Sequence, residues 1–138
     1  KLNKGKYLEL GNLNAKRDWG YAKDYVEGMW RMLQAENSDT FVLATGQTRT
    51  VREFIEITCK ELEIDISWEG EGVSEIGYDT KTNLPVIKIN PDFYRPSEVD
   101  LLLGDPSKAK ELLNWESKTS LEELCSIMVK ADLRKLEE

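Results

Sequence analysis

The chain has 138 residues, 40% hydrophobic and 33% charged, which suits one ordinary domain with a single buried core. Its formal net charge of −7 argues against nonspecific binding to nucleic acid or to an anionic membrane, since both require a basic face. A small diphosphate stays within reach, because a few well-placed cations in a pocket suffice whatever the overall balance.

No apolar run approaches the roughly 18 residues of a membrane span, and no basic, apolar leader opens the chain. The first residue is Lys1 rather than Met, so a preceding portion is expected, in a cytoplasmic protein. The absence of histidine removes the commonest general base and metal ligand, and no metal site is expected. Cys59 and Cys125 each fall inside an apolar helical pattern and read as small core residues; nothing in their setting asks for a disulfide.

In chain order, Tyr7 to Leu10 alternates and ends at Gly11-Asn12, a short strand running into a turn. A helix is predicted from Ala22 to Gln34, with Ala22, Tyr25, Val26, Met29, Trp30 and Leu33 as its buried stripe. Asn37-Ser38-Asp39 breaks it, and Thr40 to Ala44 reads as a buried strand. Thr50 and Glu53 form a capping box. The helix it opens carries Val51, Phe54, Ile55, Thr58, Cys59 and Leu62 on one face. Ile64 to Glu69 is a further strand, and Ser74–Tyr78 with Pro85–Asn90 make a hairpin around Asp79–Asn83. Asp105 is placed as the N-cap of a short helix through Leu113, with Pro106 in its first turn. A last helix starts near Thr119-Ser120, burying Leu121, Leu124, Cys125 and Met128, and its end beyond Ala131 is solvated. The expected fold class is mixed α/β: one domain of short strands and about four helices.

No Gly-x-x-Gly-x-x-Gly or Gly-x-Gly-x-x-Gly follows a strand, and no Tyr with a Lys four residues later suggests a catalytic pair. A dinucleotide fold needs such glycines for close approach to the pyrophosphate. No catalytic residue and no nicotinamide site are therefore assigned to this chain.

Two segments exceed what packing requires. Leu10 to Val26 places two cations, Lys16 and Arg17, two acids, Asp18 and Asp24, and a Trp–Gly pair at a helix N-terminus, where anions are favoured and an arginine can grip phosphate through two bonds. The alternative is a polar turn in which Arg17 pairs with Asp18 or Asp24. Asp92 to Asp100 contains Arg95-Pro96, held extended by the proline, followed by Glu98 and Asp100. It could present a guanidinium to phosphate and a carboxylate to a ribose diol, or be a surface loop with a weak ion pair. Trp19, Trp30, Trp68 and Trp115 read as packing residues.

Taken together, Gly11-Asn12-Leu13-x-Ala15-Lys16-Arg17-Asp18-Trp19-Gly20 and Ala22-Lys23-Asp24-Tyr25-Val26 resemble the sugar-nucleotide dehydratases of the extended short-chain dehydrogenase/reductase superfamily. Met29-Trp30, Val51-Arg52-Glu53-Phe54, Trp68-Glu69-Gly70, Tyr94-Arg95-Pro96-x-Glu98-Val99-Asp100 and Leu113-Asn114-Trp115 bring the resemblance to the GDP-mannose 4,6-dehydratases. It covers nearly the whole chain. The resemblance implies conversion of GDP-mannose to GDP-4-keto-6-deoxymannose and water, a lyase reaction feeding deoxyhexose synthesis. NADP serves as a temporary hydride store: C4 is oxidised, water leaves C6, and the hydride returns to C6.

The same resemblance makes residues 1–138 the C-terminal, nucleotide-sugar-binding portion, without the NADP-binding Rossmann half that carries the chemistry. Arg17 and Arg95 resemble the arginines that hold the diphosphate, and Glu98 the acid that bonds the ribose. Lys16 and Asn12 are weaker substrate-binding candidates, while Asp24 is expected to anchor the helix start or the loop. The expected partners are GDP-mannose and the Rossmann portion, with self-association where the interface is uncovered. The alternatives are a freestanding nucleotide-sugar-binding module and an interaction domain that needs a Rossmann partner chain.

Overall fold

The computed structural model describes residues 7–95 and 101–137. Its centre is a four-stranded sheet of β1 (Leu8–Leu10), β6 (Leu84–Ile89), β5 (Ile76–Asp79) and β4 (Ile66–Glu69), in that spatial order. β1 runs parallel to β6, and the other neighbours are antiparallel. The predicted hairpin is β5–β6. Its turn forms because the Asp79 carboxylate accepts from the Lys81 N–H and the Thr82 hydroxyl, both at 2.9 Å, while Asn83 takes a left-handed φ of 53°. Pro85 is tolerated in a central strand because the ladder shifts register between Gly77 and Tyr78, opposite it.

The capping box is present as read: the Thr50 hydroxyl accepts from the Glu53 N–H at 3.1 Å, and the Glu53 carboxylate takes the Thr50 N–H at 2.7 Å. It starts α2 (Val51–Glu61). Ile55 and Cys59 of α2 pack on Leu13, Ile87 and Ile89 of the sheet side. Its opposite face, Phe54 and Ile57, meets Leu121, Leu124 and Cys125 of α4 (Leu121–Glu137). The layers are therefore sheet, α2, α4. Both cysteines are free and buried, and burial raises each thiol above its ordinary value, so neither is poised as a nucleophile.

Four expectations change. The helix α1 (Ala22–Gln34) has the predicted bounds, but its apolar stripe is not buried: Val26 is 61% exposed, Met29 56%, Trp30 60% and Leu33 82%. The buried residue is Gly28, lying against Leu43 and Trp115. Hence Trp30 is not a packing residue within this chain, whereas Trp115 is 1% exposed and donates its indole N–H to the Asp24 carbonyl at 2.8 Å. Second, Thr40 to Ala44 forms no strand, because no described segment offers it a ladder partner. Third, Pro106 rather than Asp105 caps α3 (Ser107–Leu113); Asp105 acts one residue earlier, accepting from the Ser107 N–H at 2.9 Å. Fourth, Met128 is 46% exposed and Val129 is buried in its place.

The Asp24 carboxylate joins α1 to the approach of α4. One oxygen accepts from the Ser117 hydroxyl at 3.1 Å and from the Lys118 and Thr119 N–H groups at 3.0 Å each. Burial raises its pKa, but the bonds from Thr119, Lys118 and Ser117 outweigh that and leave it below the ordinary 3.8. A carboxyl depressed in the folded state adds stability above its unfolded pKa and loses it as pH falls through the folded value. Asp24→Asn should therefore lower stability at neutral pH by roughly 1–2 kcal/mol. In denaturant titrations, the gap between variant and wild type should close as the pH drops below 3.8.

Candidate functional site

The first motif leaves β1 through Gly11 and runs as an extended segment along the start of α2. Leu13 and Ala15, each 2% exposed, point into the core, so Asn14 and Lys16 point outward by strand alternation. Arg17 returns to the inner side, half-buried beyond the edge of the core. The segment is held by a short ladder between β2 (Lys16–Arg17) and β3 (Arg49–Thr50), a pair the sequence did not announce. Val51 N–H to the Ala15 carbonyl at 3.1 Å and Arg52 N–H to the Leu13 carbonyl at 2.9 Å continue it. The Trp19 indole N–H adds a bond to the Arg49 carbonyl at 3.1 Å, its ring 4.7 Å from that of Phe54.

The residues on either side of the second motif are tied to the first at two places. The Asn90 N–H donates to the Leu10 carbonyl at 2.8 Å, starting the turn Pro91–Phe93 beside Gly11. A Cβ on Gly11 would overlap the Phe93 carbonyl oxygen, so glycine is what permits this approach. Beyond the motif, Leu101 forms a parallel bridge with Lys16. Tyr94 packs on the core and Arg95 is exposed. Glu98 lies outside the described residues, as do Pro96, Ser97, Val99 and Asp100.

Arg17, Asp18, Tyr25, Val42 to Ala44 and Leu102 to Gly104 line an open cleft of 330 Å³. The predicted site residues sit differently around it. Arg17 is on the cleft side, its guanidinium donating to the Lys16 carbonyl at 2.8 Å. Lys16, its neighbour in the strand, projects to the exposed face and does not converge with it. The Asn12 side-chain oxygen accepts from the Asn14 N–H at 2.9 Å, so Asn12 shapes the turn.

The acids considered as partners of Arg17 are engaged with other donors. Asp18 accepts from the Thr45 N–H at 3.0 Å, the Thr45 hydroxyl at 2.7 Å and the Gly46 N–H at 3.0 Å. Asp24 holds the Ser117–Thr119 turn. Asp18 thereby fastens the Ala44–Gly46 turn to the first motif, a role that no local pattern signalled. Tyr25 was read only as part of a packing stripe. In the cleft, burial raises its phenol above the ordinary value, and the charges of Asp18 and Asp24 add to the effect. Gly104 closes the floor, where a Cβ would strike that of Ala44. Among the described residues no cluster of His, Cys, Asp or Glu could hold a metal, and no helix is long and apolar enough to cross a membrane.

A family model described as GDP-mannose 4,6 dehydratase matches residues 1–128. The GDP-mannose 4,6 dehydratase of Dictyostelium discoideum is 57% identical over 126 residues, which are 91% of this chain and 35% of the relative. That of Drosophila melanogaster is 53% identical over 127 residues, 92% of this chain and 32% of the relative. The chain thus spans about a third of the length of these curated relatives. Among solved structures, UDP-glucose 4-epimerase from Thermotoga maritima with UDP-glucose matches with a TM-score of 0.69 and 24% identity, over 94% of this chain and 36% of that one. UDP-glucose 4-epimerase from Bifidobacterium longum, in complex with NAD+ and UDP, gives a TM-score of 0.69 at 15% identity, over 96% and 36%. At such identities the structural likeness concerns the fold. The sequence matches go further: this chain belongs to the GDP-mannose 4,6-dehydratase family.

Proposed function

We propose that this chain is the nucleotide-sugar-holding portion of a cytoplasmic GDP-mannose 4,6-dehydratase, a lyase that converts GDP-mannose to GDP-4-keto-6-deoxymannose and water. The observation that carries this reading is the double tie of the first arginine-bearing motif to the residues on either side of the second, Leu10 to Asn90 and Lys16 to Leu101, in a chain of that family. Arg17 and Arg95 hold the diphosphate and Glu98 bonds the ribose; Lys16 and Asn12 are secondary, one outward-facing and one shaping the turn. Family membership favours this over a freestanding binding module or an interaction domain.

The residues of this chain do not fit a nicotinamide dinucleotide, since no glycine-rich loop follows a strand in its sequence. NADP therefore belongs to a Rossmann portion outside these residues, and the chain alone is inactive. Its contribution is to hold and orient the nucleotide end of the substrate.

The exposed face of α1, with Val42 at 50% and Leu101 to Leu103 above 50%, is an apolar surface suited to that portion. Left uncovered, it should make the chain self-associate. Sedimentation is expected to show concentration-dependent association that Trp30→Glu with Leu33→Glu abolishes; a strictly monomeric wild type would refute this.

Calorimetric titration with GDP-mannose, with UDP-glucose as control, tests the ligand assignment. Charge-assisted hydrogen bonds contribute about 1.5–3 kcal/mol, so Arg95→Ala should weaken GDP binding roughly ten- to a hundredfold without unfolding the domain. Unchanged affinity in the folded variant would remove Arg95 from the site.

A further inference from the structure

We propose that the ion pair between Arg52 and Glu75 is a positioning element for the nucleotide site: it fixes the Arg17-bearing segment relative to the sheet end that leads to Arg95. The proposal rests on the reading of Arg17 as a diphosphate ligand.

Glu75 is 9% exposed, and it faces the Arg52 guanidinium in a two-pronged arrangement, Nη1 to Oε1 at 2.6 Å and Nη2 to Oε2 at 2.9 Å. The guanidinium also lies 4.7 Å from the Trp68 ring centre, and the Trp68 indole N–H is fixed on Glu56 at 2.9 Å. At its other end, Arg52 donates its backbone N–H to the Leu13 carbonyl at 2.9 Å, and its Nη2 reaches the Asn14 side-chain oxygen at 3.4 Å. One residue thus grips the first motif through its backbone and the sheet through its side chain. Glu75 continues the connection, its carbonyl accepting from the N–H of Ile89 at 3.4 Å. Ile89 is the last residue of β6, followed by Asn90, which caps the turn that leads into the second motif.

Burying a carboxylate beside a guanidinium contributes little net stability compared with an apolar pair, because desolvation offsets the attraction. What such a pair does supply is a defined geometry, and here the geometry is the spacing of two segments that must close on one diphosphate. Neither Arg52 nor Glu75 lines the cleft, so both act through the segments they hold.

The test is a double-mutant cycle on GDP affinity, measured by calorimetry on the protein together with its dinucleotide-binding portion. Glu75→Gln is expected to weaken GDP binding about tenfold, and to have less than about a twofold effect once Arg17→Ala is present. Arg52→Lys, which keeps the charge and loses the fork, should show the same dependence on Arg17 and serves where Glu75→Gln does not fold. Folded variants with wild-type affinity, or a loss that persists undiminished without Arg17, would overturn the proposal. An Arg17→Ala protein that binds GDP as tightly as wild type would instead overturn the nucleotide reading beneath it, before the pair is altered.

Discussion

The site depends on the hydrogen bonding of residues 13–19 along the entrance to α2. A two-residue ladder such as β2–β3 has little stability of its own. It persists because its far strand is not free to move: Thr50 is both a ladder residue and the N-cap of α2, locked by Glu53. The bonds from Val51 and Arg52 extend the ladder into the first turn of the helix, using N–H groups that would otherwise lack helical partners. A stretch that buries only Leu13 and Ala15 is thus fastened to the helix that packs on both the sheet and α4. The alternation that buries Leu13 and Ala15 then decides where Arg17 emerges.

A protein with a net charge of −7 holds an anion only if nearby acids are prevented from competing for its cations. Asp18 and Asp24 are both bonded to donors of distant segments. Each accepts from two backbone N–H groups and a hydroxyl. Both carboxylates tie together loops from distant parts of the sequence, Asp18 the Ala44–Gly46 turn and Asp24 the approach to α4. Acids that look like ligand-site residues by their proximity to Arg17 are thereby structural.

Local signals were legible where their cause is local. The capping box and the β5–β6 turn follow from side chains bonding to their own neighbours in sequence, and the bounds of α1 from its periodicity and the break that follows Gln34. The orientation of α1 does not. Periodicity shows that Val26, Met29, Trp30 and Leu33 share a face, but it carries no information on what that face meets. The stretch Thr40–Ala44 fails for the same reason, since a strand is defined by a neighbour. β2 and β3 are too short to leave a pattern at all. In the site, resemblance located both arginine motifs, and the structure supplies what resemblance could not. The first motif is tied at Leu10 and Lys16 to Asn90 and Leu101 on either side of the second, and Lys16 and Arg17 point to opposite sides.

The cleft and the exposed face of α1 are not independent surfaces. Val42 belongs to the cleft wall and is itself 50% exposed, while Tyr25 lines the cleft one residue before Val26 begins the apolar stripe. A surface that covers Val42 therefore reaches the wall of the cleft that Arg17 also lines. If the cleft holds the nucleotide sugar as proposed, covering Val42 also walls in the ligand, and the hydrophobic contribution of the first offsets part of the cost of desolvating charges in the second. On the proposed reading of Arg17 as a diphosphate ligand, a contact that removes water from Val42 also lowers the dielectric around Arg17, which strengthens its attraction for an anion and raises the cost of desolvating it.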